Sequence, residues 1–283
     1  MSLTNPMIVI TCDIDPDIFV IPFINHPVRW YGLLFVLGFL IGQQIMYLIY
    51  KKEGQPVSGI DTLTLYIVAG TIAGARLGHV LFYDPKHFFQ NPHEIIMTWE
   101  GGLASHGGVI GILIAIYLFA RKTNANYLWI LDRISIVAAL AFCMIRLGNL
   151  MNSEMIGIPT DLPWGFIFAI KDNIPRHPAQ LYEAIQYFIW FIVLLVLWSR
   201  QWEKMKNGFL FGWSLIILFS LRFIDEFFKI NQEQFEDGMI LNMGQLLSIP
   251  LILTGIVILI LNNGEKREIN STESIVTGQK NIL

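Results

Sequence analysis

Charge is what this chain has least of. Asp, Glu, Lys and Arg make up 14% of its 283 residues, where a soluble domain carries about 25%. That is too little charge to coat a water-facing surface of this size. The same composition excludes disordered, collagen-like and disulfide-scaffold chains. A basic excess is also missing, since the net charge is −3, and a nucleic-acid binder would show one. Cysteine is scarce: Cys12 and Cys143 form neither a disulfide framework nor a zinc spacing. No P-loop, GxSxG, HExxH or CxxC pattern occurs, and no carboxylate or histidine cluster has metal-ligand spacing. No metal and no cofactor are expected. Apolar residues, in contrast, fill 54% of the chain, and the mean hydropathy is +0.54. The class that remains is all-α: a polytopic membrane bundle.

A helix needs about 20 apolar residues to cross a bilayer. Seven stretches qualify, at roughly 30–50, 60–83, 103–120, 126–148, 178–198, 208–228 and 242–262. The N-terminus does not read as a signal peptide, because Asp13, Asp15 and Asp17 follow a short apolar run with no basic segment before it. Orientation follows the Lys and Arg bias. The connections after the first, third, fifth and seventh spans hold ten basic residues, and the N-terminal segment and other connections hold five. The expected topology has the N-terminus outside and the C-terminus cytoplasmic. Residues 1–262 read as one transmembrane catalytic domain with outward loops 84–102 and 149–177. The polar tail, 263–283, reads as disordered.

Charges inside a membrane are costly, so each is a candidate for function. Arg76, Arg146 and Arg222 fall near the outward ends of their spans. So do Tyr31, His106, Gln180, Tyr182, Glu183 and Gln245. At the inner ends only Asp132 and Arg133 are comparable. Three arginines near one level with few acids imply an anionic ligand. Phosphate is the natural one, because a guanidinium matches its oxygens bidentately. A lone Arg at a helix end can equally snorkel to the interface. Glu226, four residues after Arg222, can share its helix face. His106 lies among glycines in WEGGLASHGGVIG, where a substrate could approach its ring and use it as a general base. The later glycines favour close helix packing. Arg146, Asn149 and Asn152 recur at three-residue spacing, which places them on one face. They could hold phosphate or ester oxygens, or cap the helix end. A transporter would instead show midplane charges and inverted repeats, and a lipid-binding scaffold would bind phospholipid without turnover.

The motifs HPVRWYG (26–32), GARLGHVLFYDP (74–85), WEGGLASHGGVIG (99–111), RLGNLMNSEMIG (146–157), RHPAQLYE (176–183), LRFIDEFF (221–228) and MGQLLSIP (243–250) occur in this order. Over about 25–262 the chain resembles the prolipoprotein diacylglyceryl transferase family of bacterial membrane enzymes. The resemblance implies transfer of the diacylglyceryl group of phosphatidylglycerol to the lipobox cysteine of a preprolipoprotein signal peptide. A thioether forms and glycerol phosphate leaves, at the outer leaflet of the bacterial plasma membrane. It implies that His106 is the family's essential histidine, and that Arg146, Asn149, Asn152, Glu154 and Gly157 form its signature. Tyr31, Arg222 and Glu226 take further functional positions. The expected catalytic set is His106, Arg146, Arg222, Tyr31 and Glu226. The expected lipid-binding set is Arg146, Asn149, Asn152, Arg222, Arg76, Glu154 and Gly157. Three positions depart from the family pattern: Ile145 and Ser153 replace glycines, and Ile156 replaces an aromatic.

Overall fold

A computed structural model describes residues 10–22, 26–98, 101–231 and 236–262. The tail expected to be disordered, 263–283, and Trp99 and Glu100 of the glycine-rich motif lie outside the described residues. Seven long helices stand close to the seven apolar stretches. They are α1 (Trp30–Lys52), α2 (Gly59–Phe82), α4 (Ser105–Thr123), α5 (Tyr127–Met151), α6 (Ala179–Gln201), α7 (Phe209–Asp225) and α8 (Met243–Leu261), with a short α3 (Pro85–Gln90) between α2 and α4. Five of them (α1, α2, α5, α6 and α8) are long and apolar enough to cross a membrane. In α4 the polar Ser105 and His106 at one end and Arg121 and Lys122 at the other dilute the apolar run. α7 has 17 residues, about 26 Å at 1.5 Å per residue, and extends through a 3₁₀ turn, Glu226–Phe228.

α5 is the central helix and packs against α1, α6 and α7. Ile49, Ile60, Ile116, Ile130, Ile136, Leu194 and Leu210 form the buried centre of the bundle. A second seam joins α2 to α4 through glycine. A Cβ on Gly74 would lie 2.3 Å from the Gly107 carbonyl oxygen, and one on Gly111 would lie 2.0 Å from that of Gly70. Only glycine permits this backbone approach, the small-residue logic of helix pairs in lipid. The seam fixes the end of α4 that carries His106.

The connections alternate in length. Those at 53–58, 124–126 and 202–208 are short, and those at 83–104, 152–178 and 226–242 are long, so the bundle has a plain end and an elaborated end. The plain end is closed by an ion pair. Arg133 donates through Nη2 to both oxygens of Glu53, at 2.9 and 2.7 Å, and through Nε at 3.0 Å. The Trp129 and Trp198 indoles donate to the same carboxylate. Asp132 accepts from the Gly208 and Phe211 amides at 2.7 and 2.8 Å, which caps the first turn of α7.

The all-α expectation needs a correction at the elaborated end. Strands β1 (Ile10–Cys12), β4 (Phe166–Phe168) and β5 (Pro175–Arg176) form a small sheet in that order, with β1 parallel to β4. β2 (Asp17–Ile21) and β3 (His26–Arg29) form an antiparallel pair. These strands have two to five residues, too few to develop a readable alternation. Their pairing satisfies backbone groups in long connections that have no helix to do so.

Candidate active site

The elaborated end gathers the C-terminal turns of α5 and α7 and the first turns of α1, α6 and α8. Arg146, in the last two turns of α5, has a side chain 13% exposed and lies 3.0 Å through Nε from Glu183 Oε2. The pair is close but not aligned as a hydrogen bond, since that oxygen has no hydrogen-bond donor among the described residues. Arg146 Nη1 donates to Asn149 Oδ1 at 3.2 Å. Asn149 and Asn152 each donate an amide N–H to Glu154, at 3.2 Å. Glu154 therefore holds the two amides. Gln180 Nε2 donates to the Glu154 carbonyl, which ties the turn after α5 to the start of α6.

Glu183 is wholly buried, and its second oxygen faces Lys229 Nζ at 2.9 Å. Lys229 also contacts Glu226 Oε1 at 3.0 Å, and Arg222 Nη2 lies 3.5 Å from that same oxygen. Opposite charges thus alternate through Arg146, Glu183, Lys229, Glu226 and Arg222. Arg222 is the most open member, with a side chain 31% exposed. Asn242, the N-cap of α8, donates to Glu226 Oε2 at 3.2 Å while forming a capping box with Gln245. Among the described residues, six buried side-chain atoms without a hydrogen-bond partner lie here: Asn152 Oδ1, Ser153 Oγ, Gln180 Oε1, Glu183 Oε2, Gln186 Oε1 and Asp225 Oδ2. All are oxygens, so the site is rich in unused acceptors beside its cations.

Glycines set the spacing. A Cβ on Gly148 would lie 2.9 Å from Tyr31 Cδ2, so the first turn of α1 seats Tyr31 against α5 next to Arg146. Gly157 is caged by the His177 and Phe228 carbonyls, 2.4 and 2.7 Å from where its Cβ would be. Ser153 adopts φ 51° and Met155 φ 55°. This is the left-handed region, which costs a non-glycine residue about 1–2 kcal/mol. A glycine at position 153 would relieve that cost, and this chain bears it with a fully buried serine.

Arg76 and His106 belong to a different neighbourhood. Arg76 is 5% exposed, and main-chain carbonyls surround its guanidinium. Nε donates to Ile95 at 2.9 Å, Nη1 to Gly101 and Gly102 at 2.6 and 3.2 Å, and Nη2 to Glu94 at 2.5 Å. Through these carbonyls it clamps the 84–102 connection. Gly102 makes the clamp possible: it adopts φ 70°, and a Cβ there would lie 2.8 Å from Arg76 Nη1. His106 is the second residue of α4 and exposed. Among the described residues it has no hydrogen-bond partner and no contact joining it to the Arg146 chain.

Sequence reasoning missed Lys229 and gave Glu183 no role. Lys229 was counted among the basic residues of an outside connection, yet it is 6% exposed. The signal was its spacing: Arg222, Glu226 and Lys229 fall at i, i+4 and i+7, with Phe227, Phe228 and Ile230 around the lysine. Near the arginine chain, burial lowers the His177 pKa, and its Nδ1 lies 3.2 Å from the Tyr182 hydroxyl. Asp172 has its pKa lowered by the hydrogen bonds that Arg176 donates to it.

The prolipoprotein diacylglyceryl transferase family model matches residues 17–261. This chain belongs to that family. It is 50% identical over 240 residues to a phosphatidylglycerol–prolipoprotein diacylglyceryl transferase of Tolumonas auensis, covering 84% of this chain and 93% of the relative. Similarly named proteins of Chloroherpeton thalassium and Porphyromonas gingivalis are each 46% identical. The first covers 92% of this chain and 96% of the relative, and the second covers 89% and 94%. The family match spans α1 to α8 and takes in every residue of the Arg146–Arg222 chain.

Proposed function

We propose that this membrane transferase moves the diacylglyceryl group of phosphatidylglycerol to the thiol of a preprolipoprotein's lipobox cysteine, the first step of lipoprotein maturation. The supporting observation is the alternating chain from Arg146 to Arg222, cationic at both ends and bordered by unused acceptor oxygens. Phosphatidylglycerol suits it chemically, because its phosphate calls for guanidinium donors and its head-group glycerol brings hydroxyls that can donate to those oxygens.

In the reaction the cysteine sulfur attacks the glyceryl carbon that carries the phosphate. The S–C bond forms, the C–O bond breaks, and its electron pair leaves on glycerol phosphate. Arg146 and Arg222 stabilise the charge that collects there, which is usually the largest catalytic contribution. A cysteine thiol with a pKa near 8.5 is only a few per cent thiolate at neutral pH. His106, an exposed imidazole at the start of α4, takes the thiol proton. Glu226 orients Arg222, and Asn149 orients Arg146 while retaining a spare amide proton for a phosphate oxygen. Asn152 has a spare proton too, Glu154 holds both amides, and Tyr31 packs against the base of the site. Arg76 secures the outward loop that precedes His106.

The reading includes seven transmembrane spans with the N-terminus outside, the C-terminus cytoplasmic and the site open to the outer leaflet of the bacterial plasma membrane. Residues 1–262 act as one catalytic domain, and residues 263–283 belong to the cytoplasmic side. The basic bias of the connections at the plain end supports that orientation. The deciding experiment is mass spectrometry of a lipobox peptide after incubation with purified protein and phosphatidylglycerol. The expected product carries the added diacylglycerol mass with stoichiometric glycerol phosphate. Lipid binding without either product would reduce the protein to a scaffold.

A further inference from the structure

Lys229 sits one 3₁₀ turn beyond α7, with a side chain 3% exposed. Burying a lone ammonium costs several kcal/mol, and two carboxylates offset that cost here. Each of those carboxylates also faces an arginine: Glu183 faces Arg146, and Glu226 faces Arg222. The neighbouring acid, Asp225, accepts from the Gln186 amide at 2.9 Å, so it is anchored from another side. With the lysine in place, two carboxylates are shared among three cations. Without it, each carboxylate would be matched by its own arginine alone, and a guanidinium so matched attracts a phosphate less.

The backbone fixes the lysine as firmly as the charges do. Gly157 and Lys229 face each other in an antiparallel bridge. The Ile158 amide donates to the Phe228 carbonyl at 3.0 Å, and the Ile230 amide donates to that of Ile156 at 3.3 Å. The Gly157 amide donates to the His177 carbonyl at 3.1 Å, and a side chain at 157 would strike both flanking segments. The signature glycine is thus the point at which three backbone segments close around the base of Lys229.

We propose that Lys229 is a positioning residue for the transfer. It takes up part of the negative charge of Glu183 and Glu226, and so leaves Arg146 and Arg222 free to hold the lipid phosphate, with Gly157 fixing its backbone. The inference rests on the reaction proposed above and on the phosphate role of the two arginines.

The test uses the full chain purified in detergent with phosphatidylglycerol and a lipobox peptide. It measures kcat, KM for the lipid and thermal melting for wild type, Lys229→Gln and Lys229→Arg. Loss of a buried ionic partner of this kind is expected to lower kcat/KM by at least about tenfold per folded molecule, with KM for the lipid raised. Lys229→Arg should stay within about threefold of wild type, because it keeps the charge. Folded Lys229→Gln with wild-type kcat/KM overturns the proposal, and so does a Lys229→Arg variant that loses as much as Lys229→Gln. Should the glutamine variant fail to fold, Lys229→Met, which fills the same volume without charge, is judged by the same thresholds. A wild-type protein that transfers nothing refutes the reaction itself, and the proposal falls with it.

Discussion

The two ends of the bundle use the same pair of residue types to opposite effect. At the plain end the side chains of Arg133 and Glu53 are 2% and 0% exposed, and the carboxylate is surrounded by the guanidinium and two indole N–H groups. At the elaborated end Arg222 and Glu226 are 31% and 7% exposed and separated by 3.5 Å, and the carboxylates are shared among cations. A bidentate pair with its lone pairs filled has little left to offer a ligand, whereas a shared, loosely paired chain does. An intramembrane charge becomes a functional candidate through the partners it lacks more than through its depth.

The sharpest way to break this contrast is to remove arginines from each end. Arg146→Ala and Arg222→Ala should each lower transfer by about 10³-fold or more, in line with the loss of a key transition-state donor. Each variant should still insert and melt near wild type, because Lys229 continues to pair the carboxylate that has lost its arginine. Retention of full activity by both variants would remove the phosphate role. Glu53→Ala should do the reverse. It leaves the buried Arg133 guanidinium with Asp132 alone, 3.6 Å away, and should cost up to about 3–5 kcal/mol of stability, read as a lower melting temperature with kcat per folded molecule unchanged. If Glu53→Ala leaves melting unchanged, or Arg146→Ala lowers melting as much as Glu53→Ala does, the division between the two ends is lost.

His106 sharpens the comparison within the elaborated end, because it stands apart from the arginine chain. His106→Gln should lower kcat by about 10²-fold, the lower range for a general base. Near-normal rates would end its role as base.

The helices were legible because a membrane span is written in some twenty consecutive residues, and α1, α5 and α6 begin or end within a few residues of the apolar stretches. The glycine seam was legible in part: the packing role assigned to the later glycines matches Gly107 and Gly111 against α2. The strands were hidden by their shortness, and they pair segments far apart in sequence, such as Ile10 with Phe166. The Arg76 clamp was not legible, because residue type and depth say nothing about carbonyls supplied by a loop some 20 residues away. Lys229 was hidden for the converse reason. A lysine after a span normally reaches water, and only the fold around Gly157 turns this one inward. Pairings across helices, such as Arg146 with Glu183, are set by packing geometry that one-dimensional spacing does not contain.

The smallest expected effect lies in the connection at 152–178 that supports the site. Burial holds the His177 pKa below its ordinary value, so the folded connection favours neutral imidazole, with Nδ1 beside the Tyr182 hydroxyl. The sign follows from linkage. Between the unfolded pKa near 6.5 and the lower folded value, the unfolded state binds the proton first. Stability is therefore full above about pH 6.5 and declines as the pH falls through the folded pKa. Asp172 works in the same direction at more acidic pH, because the hydrogen bonds from Arg176 favour its charged form and protonation removes them. Hydrogen exchange across 152–178 should therefore quicken modestly between pH 7 and 5, after correction for intrinsic exchange, while the plain end stays protected. His177→Gln, which keeps a hydrogen-bonding side chain but cannot titrate, should flatten that dependence. An acid-induced opening that persists in His177→Gln would place its origin elsewhere, and one that spreads equally to Arg133 and Glu53 would show that the two ends unfold as one unit.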